Sequence, residues 1–289
     1  MVASADAIRQ FYAEELLAVC NLQSPALVRA LAAVPRERFL GPGPWRIRGM
    51  DGMFMPGAPG TYRETPDADP RHLYHNVLVS IDPSRELNNG HPGTLASWID
   101  LLRIREGERI VHIGSGPGYY TAILAEMTGG AGSVTAIEVD PALAARAVEA
   151  LSAWPNVTVI AGDGVTERFE QADVILVNAG VTHPAPGWLD ALAPNGRMLL
   201  PLTFEPAPGV AGKGCMILIT RSGDAFTARA VSMVQVYSCV GGRDPQLNAA
   251  LMQTFSRGGW EKVRSLRRDA HDAGDRCWFH ASSFCLSFD

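Results

Sequence analysis

Ile110-Val-His-Ile-Gly-Ser-Gly-Pro-Gly-Tyr-Tyr-Thr-Ala-Ile-Leu-Ala125 decides how this chain is read. A short apolar run, broken only by His112, meets three glycines, Gly114, Gly116 and Gly118. A helix-like apolar pattern through Ala122, Ile123 and Ala125 follows. Strand, tight turn and helix are the expected order. Glycines at such a turn allow positive φ and close approach of the backbone to a ligand. The helix that begins there points unpaired N–H groups at whatever occupies the turn. The next apolar run, Ser133-Val-Thr-Ala-Ile137, ends on Glu138 and Val139. An acid at that distance is placed to accept hydrogen bonds from ribose hydroxyls. A nucleoside-containing cofactor is implied.

The glycine spacing narrows the choice of nucleoside. A dinucleotide fingerprint wants G-x-G-x-x-G, and Tyr119 stands where its third glycine would be. The spacing G-x-G-x-G favours S-adenosylmethionine, whose aminoacyl tail needs no pyrophosphate cradle. Asp163, in Ile160-Ala-Gly-Asp-Gly164, follows another apolar run and is placed to accept from an adenine amino group. The plainer reading of residues 162–164 is a turn.

Composition sets outer bounds. The chain has 289 residues, 47% of them hydrophobic, with a net charge of −5. No broad basic face is evident, so nucleic acid is not an expected partner. The basic cluster from Lys262 to Arg268 reads as a solvated helix face. No apolar run is long enough to span a bilayer, and no secretory leader is evident at the N-terminus. Five scattered cysteines without a C-x-x-C point to reduced thiols in a cytoplasmic protein. No metal site is expected; His72-x-x-His75 lacks a convincingly spaced partner.

Two helices are expected over 4–35, the second beginning at Ser24-Pro25. Residues 41–75, rich in Gly, Pro and Asp, read as a long surface excursion carrying Met50, Met53, Phe54 and Met55. A short strand at 77–81 precedes the polar turn Asn88-Asn-Gly-His-Pro-Gly-Thr94 and a helix to Leu102. Strands at 109–113, 133–138, 157–161, 172–177 and 197–202 then alternate with helices at 118–128, 141–152 and 188–192. Such alternation implies a mainly parallel sheet with helices on both faces. Ligands bind such sheets at the carboxyl ends of the strands, where Gly114, Glu138, Asp163 and Asn178 all fall. Two β segments, 214–221 and 226–239, precede helices at about 245–256 and 259–270 and a closing strand at 277–288. The expected divisions are N-terminal helices and insertion (1–75), a cofactor-binding core (76–240), and C-terminal helices and strand (241–289).

Several segments, in order, resemble the protein-L-isoaspartate O-methyltransferase family of class I S-adenosylmethionine-dependent enzymes. Leu31-Ala-Ala-Val-Pro-Arg-Glu-Arg-Phe-Leu40 is similar to the family's VPRE-x-F segment. Residues 110–119, Ile137-Glu138 and Gly162-Asp-Gly164 resemble its glycine, ribose and adenine motifs. Leu192-Ala-Pro-Asn-Gly-Arg-Met-Leu-Leu-Pro201 resembles its LKPGGRLVIPV segment. The resemblance runs to about residue 203. It implies an α/β fold, a Rossmann-like seven-stranded sheet, with an N-terminal helical extension and a C-terminal elaboration. It implies methyl transfer to a carboxylate oxygen. Cofactor contacts would come from His112, Gly114, Ser115, Gly116, Gly118, Tyr119, Glu138, Val139, Asp163, Gly164 and Asn178.

Two departures stand out. His112 occupies a position where the family usually carries an acid. The family's T-I-S-x-P substrate loop is matched by Asn88-Asn-Gly-His-Pro92, so its serine is Gly90 and its threonine Asn88. Asn88, to orient an acceptor, and His91, as a base for a hydroxyl acceptor, are therefore the candidate catalytic residues. The expected acceptor is a peptide or protein carboxylate. A different acceptor such as a small metabolite, and a non-catalytic S-adenosylmethionine-binding role, are the alternatives. A nicotinamide oxidoreductase is disfavoured by Tyr119.

Overall fold

The computed structural model describes residues 4–49 and 62–289. The chain divides into two compact units. One comprises Met1–Gly107, Ser115–Ser133 and Ala142–Thr158; the other comprises Glu108–Gly114, Val134–Pro141 and Val159–Asp289.

The first unit begins with α1 (Ala5–Cys20) and α2 (Pro25–Ala33). Ser4 and Ser24 cap them by accepting from the backbone N–H groups of Ala7 and Leu27. A short α3 (Glu37–Leu40) follows Pro35. The described residues of the expected excursion, 41–49 and 62–75, contain regular structure that their composition does not suggest. β1 (Arg46–Arg48) pairs antiparallel with β2 (Arg63–Glu64) and with β3 (Leu78–Asp82). β4 (Leu87–Asn88) adds to β3, giving a small sheet of order β2-β1-β3-β4. Leu40, Trp45, Ile47, Leu73, Val77 and Val79 form its own apolar core. That core holds the described strands together despite the glycines and prolines around them. Met50, Met53, Phe54 and Met55 lie outside the described residues. The unit's remaining helices are α4 (Pro92–Leu101), α5 (Tyr119–Thr128) and α6 (Pro141–Ala150). In α5 every residue except Glu126 is buried.

The second unit carries β5 (Arg109–Ile113), β6 (Ser133–Glu138), β7 (Val157–Ala161), β8 (Ala172–Val177) and β9 (Leu192–Phe204). β10 (Gly212–Ser222), β11 (Ala225–Val236), β12 (Ser265–Arg267), β13 (Cys277–His280) and β14 (Cys285–Ser287) complete it. These ten strands form one sheet of order β13-β14-β12-β11-β10-β9-β8-β5-β6-β7. β5 pairs parallel with β8, and β8 parallel with β9. From β9 outward every pairing is antiparallel. The seven expected strands are thus β5–β11, and the C-terminal residues lengthen the same sheet by three. Short α7 (Pro186–Ala191) and α8 (Pro245–Ser256) complete the unit's helices, Asp244 capping the second.

The expected helix at 259–270 does not form. Gly258 and Gly259 both take positive φ, a single 3-10 turn spans Trp260–Lys262, and β12 follows. Leu266 is buried and pairs with Phe226 and Leu286, so the basic stretch from Lys262 to Arg268 is the end of a turn and a short sheet strand rather than a helix face. The closing segment is a two-stranded hairpin, β13 and β14, where one strand was expected.

Trp188 anchors the second unit's core. It is 1% exposed and its indole N–H donates to the carbonyl of Gly164 at 2.7 Å. Trp188→Phe keeps most of the buried apolar area but leaves that carbonyl without its donor. The expected cost is about 1–3 kcal/mol in urea unfolding; an unchanged midpoint would show that the bond carries no stability.

Candidate active site

Three backbone hydrogen bonds align the ends of the central strands. Gly114 N donates to Ile137 O at 2.9 Å, Asn178 N to Ile113 O at 2.8 Å, and Gly162 N to Glu138 O at 3.0 Å. Gly114, Glu138, Asp163 and Asn178 therefore stand side by side along one edge of the second unit, as the alternating pattern requires. Gly114 takes φ +74°. A Cβ on Gly164 would lie 2.5 Å from the Ile113 side chain, so only glycine fits beside the first strand. Glu138 is 7% exposed and accepts from the Asp140 N–H at 3.0 Å. Val139, beside it, is exposed. Asp163 accepts from the Val165 N–H at 2.9 Å through one oxygen.

The C-terminal part of the chain also reaches this edge, which the sequence did not reveal. Cys239 N donates to Gly180 O at 2.8 Å, and Gly180 N to Tyr237 O at 2.8 Å. Thr182 N donates to Gly242 O at 3.1 Å. Arg243 fastens the segment by donating to Thr203 Oγ1 at 2.7 Å and to Ser238 Oγ at 2.9 Å. Gly241, at φ +76°, faces the second oxygen of Asp163 so closely that a Cβ there would lie 2.4 Å from it. The Cys239 thiol is pushed up to about 11, by burial and by the negative charges of Asp163 and Glu138, so it stays neutral between two acids. The Gly241-Gly242 pair was the available signal in the sequence. Gly241→Ala should displace the Asp163 carboxylate and weaken S-adenosylmethionine binding about tenfold, ~1.4 kcal/mol by calorimetry. An unchanged Kd would remove Asp163 from the cofactor contacts.

His112 lies inside β5 with no exposed surface. Burial lowers its pKa from 6.5 to about 4. It is therefore neutral at neutral pH and does not reproduce the acid usual at this position. The sign of the linkage follows: the unfolded chain binds this proton more readily, so stability is full above pH 6.5 and is lost as pH falls toward 4. Compared with a His112→Gln variant, the wild-type chain should lose on the order of 3 kcal/mol more between those limits. Parallel pH profiles for the two would contradict the assignment.

The glycine turn passes into the first unit at Ser115. Ser115 is buried, its hydroxyl has no hydrogen-bond partner among the described residues, and its carbonyl accepts from Gly118 N at 3.1 Å. Gly116, at φ +57°, has nothing within 4 Å of the position a Cβ would take. Gly118, at φ +99°, is the N-cap of α5, and a Cβ there would strike Leu151 at 2.8 Å. The turn is thus closed by packing at Gly118 and open at Gly116. Within the first unit, the turn at Ser115–Gly118 leads straight into a helix N-terminus, a combination that suits an anionic group such as a carboxylate.

A second polar group of residues lies within the first unit. Arg36 has no exposed surface and forms no ion pair among the described residues. Its Nη1 donates to the carbonyls of Leu73 and His75, and its Nη2 to Val77 O at 3.5 Å. Its guanidinium carbon lies 5.7 Å from the Tyr12 ring centre and 5.5 Å from that of Tyr119. Tyr119 and Tyr120 pack edge to face at 5.0 Å. Burial raises the pKa values of Tyr12, Tyr119 and Tyr120, so all three remain protonated donors. Tyr119 thus belongs to the surroundings of Arg36.

The loop at 88–91 lies beside these aromatics. Asn88 uses its amide oxygen locally, accepting from Gly90 N at 3.0 Å. Asn89 is the buried one: its oxygen accepts from Val79 N at 3.0 Å, and its Nδ2 has no partner among the described residues. Gly90, at φ +77°, would place a Cβ 2.9 Å from Leu95 and 3.8 Å from the Tyr120 ring. Serine cannot be restored at position 90 without moving the loop. His91 is half-buried at the N-cap of α4, and its Nε2 also lacks a partner among the described residues. Burial and then the charge of Arg36 lower its pKa, against a backbone hydrogen bond to Asn76. Among the described residues, the buried polar atoms here without partners include Arg36 Nε, Asn89 Nδ2, His91 Nε2 and the Tyr120 hydroxyl. Sequence reasoning singled out His91 and Asn88, weighed Asn89 with Asn88 as either an orienting residue or part of a turn, and used Arg36 only as part of a motif.

Comparisons with known proteins bear on the family and the fold. Residues 66–234, more than half of the chain, match the family described as protein-L-isoaspartate(D-aspartate) O-methyltransferase. A protein-L-isoaspartate O-methyltransferase of Ignicoccus hospitalis is 30% identical over 196 residues, 66% of this chain and 80% of that one. Its namesake from Methanothrix thermoacetophila is 29% identical over 220 residues, 75% of this chain and 89% of that one. Among solved structures, a putative protein-L-isoaspartate O-methyltransferase from Plasmodium falciparum, in complex with S-adenosyl-L-homocysteine, superposes with a TM-score of 0.59. That match covers 80% of this chain and 97% of the other at 16% identity, and so speaks to the fold. The chain belongs to the protein-L-isoaspartate(D-aspartate) O-methyltransferase family and is an enzyme that uses S-adenosylmethionine.

Proposed function

We propose that this enzyme methylates a carboxylate carried by a peptide or protein, of the isoaspartyl type that its relatives are named for. The observation that carries the reading is the donor-rich group within the first unit. A buried guanidinium, a buried amide nitrogen and a protonated phenol all hold hydrogen atoms with no acceptor of their own. An anion supplies the missing acceptors, and unpartnered buried donors are costly without one. Bound S-adenosylmethionine supplies a methyl carbon activated by a sulfonium. In this reading Glu138 accepts from its ribose hydroxyls and Asp163 from its adenine amino group. Gly114 and Gly116 admit its aminoacyl portion. His112 meets that portion as a neutral group. Asn178 closes the edge beside Gly114. The chain's own contribution is to orient and desolvate the acceptor. A carboxylate is already ionised at neutral pH and needs no base.

His91 favours a second reading. If its backbone bond to Asn76 uses one ring N–H, a neutral ring leaves Nε2 with a lone pair. Such a nitrogen suits removal of a proton from a hydroxyl acceptor better than binding of an anion. The altered loop, with Gly90 locked by its conformation, fits this reading too.

The cellular setting is part of the same reading. No helix among the described residues is long and apolar enough to cross a membrane. The five cysteines form no disulfide, which supports a reducing, cytoplasmic location.

Transfer of label from S-adenosylmethionine to an isoaspartyl peptide, beside its aspartyl counterpart, tests the assignment. Base-labile label on the isoaspartyl peptide alone is the expected result. The rate should hold as pH falls through 6.5, because the carboxylate stays ionised to about pH 4. Base-stable label, with a rate that falls as His91 becomes protonated, would establish the hydroxyl acceptor instead.

A further inference from the structure

The C-terminal residues that extend the sheet also bring together four metal-ligating side chains. Residues 268–276 form a polar connection between β12 and β13, with little regular hydrogen bonding of their own. His271 sits in that connection, Cys277 and His280 at the two ends of β13, and Cys285 at the start of β14. The hairpin register sets His280 opposite Cys285, and Cys285 opposite Arg267 of β12. The connection folds back so that the rings of His271 and His280 meet edge to face at 4.8 Å. One donor atom from each of the four side chains lies within 4.8 Å of the other three. The Cys277 sulfur is 3.6 Å from His271 Nε2.

These separations can be compared with those a metal would impose. Tetrahedral zinc has Zn–S near 2.3 Å and Zn–N near 2.0–2.1 Å, which places neighbouring ligand atoms roughly 3.3–3.8 Å apart. The Cys277–His271 distance already falls in that range, and the widest separation needs only a side-chain adjustment. The orientation of His271 is set as well. Its Nδ1 lies 2.8 Å from the carbonyl of Asp269, and an N–H donated there leaves the Nε2 lone pair directed at Cys277. Metal-bound histidines are held by this kind of outer contact. His280 adds an independent sign: its Nδ1 is buried without a hydrogen-bond partner among the described residues. Cys285 has no exposed surface.

We propose that His271, Cys277, His280 and Cys285 bind one zinc ion. Two sulfur and two nitrogen ligands fill a tetrahedral shell, so the site is structural, with no position left for a substrate. On binding, the two thiols release their protons to solvent, and two thiolates with Zn²⁺ make a neutral centre suited to burial. The ion would tie the 268–276 connection to the hairpin and fix the outer edge of the sheet, where the short strands β12, β13 and β14 have few residues with which to hold themselves. The spacing H-x5-C-x2-H-x4-C gives no familiar pattern, because the ligands are gathered by strand pairing and not by a compact turn.

The test uses the full chain purified without added metal. Metal analysis should find one zinc per chain. Cys277 and Cys285 should resist alkylation until a strong chelator is added, and the chelator should lower Tm. Replacement by cobalt(II) should give the visible absorption of a tetrahedral thiolate site. Cys277→Ser and His271→Ala, both at partly exposed positions, should each weaken zinc binding by more than the roughly 10–100-fold that outer contacts are worth. If a variant fails to fold, the cobalt spectrum of the unaltered chain decides the matter. A chain that retains no zinc and gives no tetrahedral cobalt spectrum would overturn the proposal. A Cys277–Cys285 disulfide found in the chain purified from a reducing cytoplasm would overturn it as well.

Discussion

A guanidinium enclosed in protein, with no carboxylate partner among the described residues, is the main constraint on the first unit's polar interior in this account. Burying a charge costs several kcal/mol unless hydrogen bonds replace its water. Arg36 meets that cost with the carbonyls of Leu73, His75 and Val77, and with the faces of Tyr12 and Tyr119. Those carbonyls belong to the segment that leads into β3. β3 in turn positions Asn89 through paired contacts with Val79. The cation therefore organises the approach to the loop at 88–91, and in the proposed reading its uncommitted N–H favours an anion.

The second unit solves a different problem. Its central strands are buried on both faces, so their ends must be capped by polar groups that remain available to a ligand. Glu138 and Asp163 provide these. The segment around Gly241 returns from the far side of the antiparallel region and fixes the side of Asp163 away from Val165. The C-terminal extension is thereby joined to the edge that carries Glu138 and Asp163 through backbone hydrogen bonds at Gly180 and Thr182. A metal at the opposite margin of the same sheet would secure the other end of that extension.

The central strands were legible because burial on both faces writes a continuous apolar run, as in residues 172–177. The glycine turn was legible because its conformational demands leave few other residues possible. The stretch after residue 258 was misread for an equally physical reason. Trp260, Val263 and Leu266 recur every three residues, as on a helix face, but two left-handed glycines and strand partners at Phe226 and Leu286 decide otherwise. Asn88 ends the two-residue β4 and the buried Asn89 lies just past it, a distinction that periodicity cannot resolve over so short a length. Gly241 and the His271–Cys285 group depend on contacts between distant segments. Tyr119 was assigned by its place in the glycine motif; that its ring packs beside Arg36 depends on a contact with a distant segment.

The central claim is that the donors around Arg36 receive the acceptor as an anion. The most direct measurement is calorimetric binding of an isoaspartyl peptide, in the presence of S-adenosylhomocysteine, beside the same peptide with its carboxylate converted to the amide. The account predicts at least about tenfold weaker binding of the amide, ~1.4 kcal/mol, because a neutral group adds donors where acceptors are needed. Equal affinity for the two peptides would contradict it.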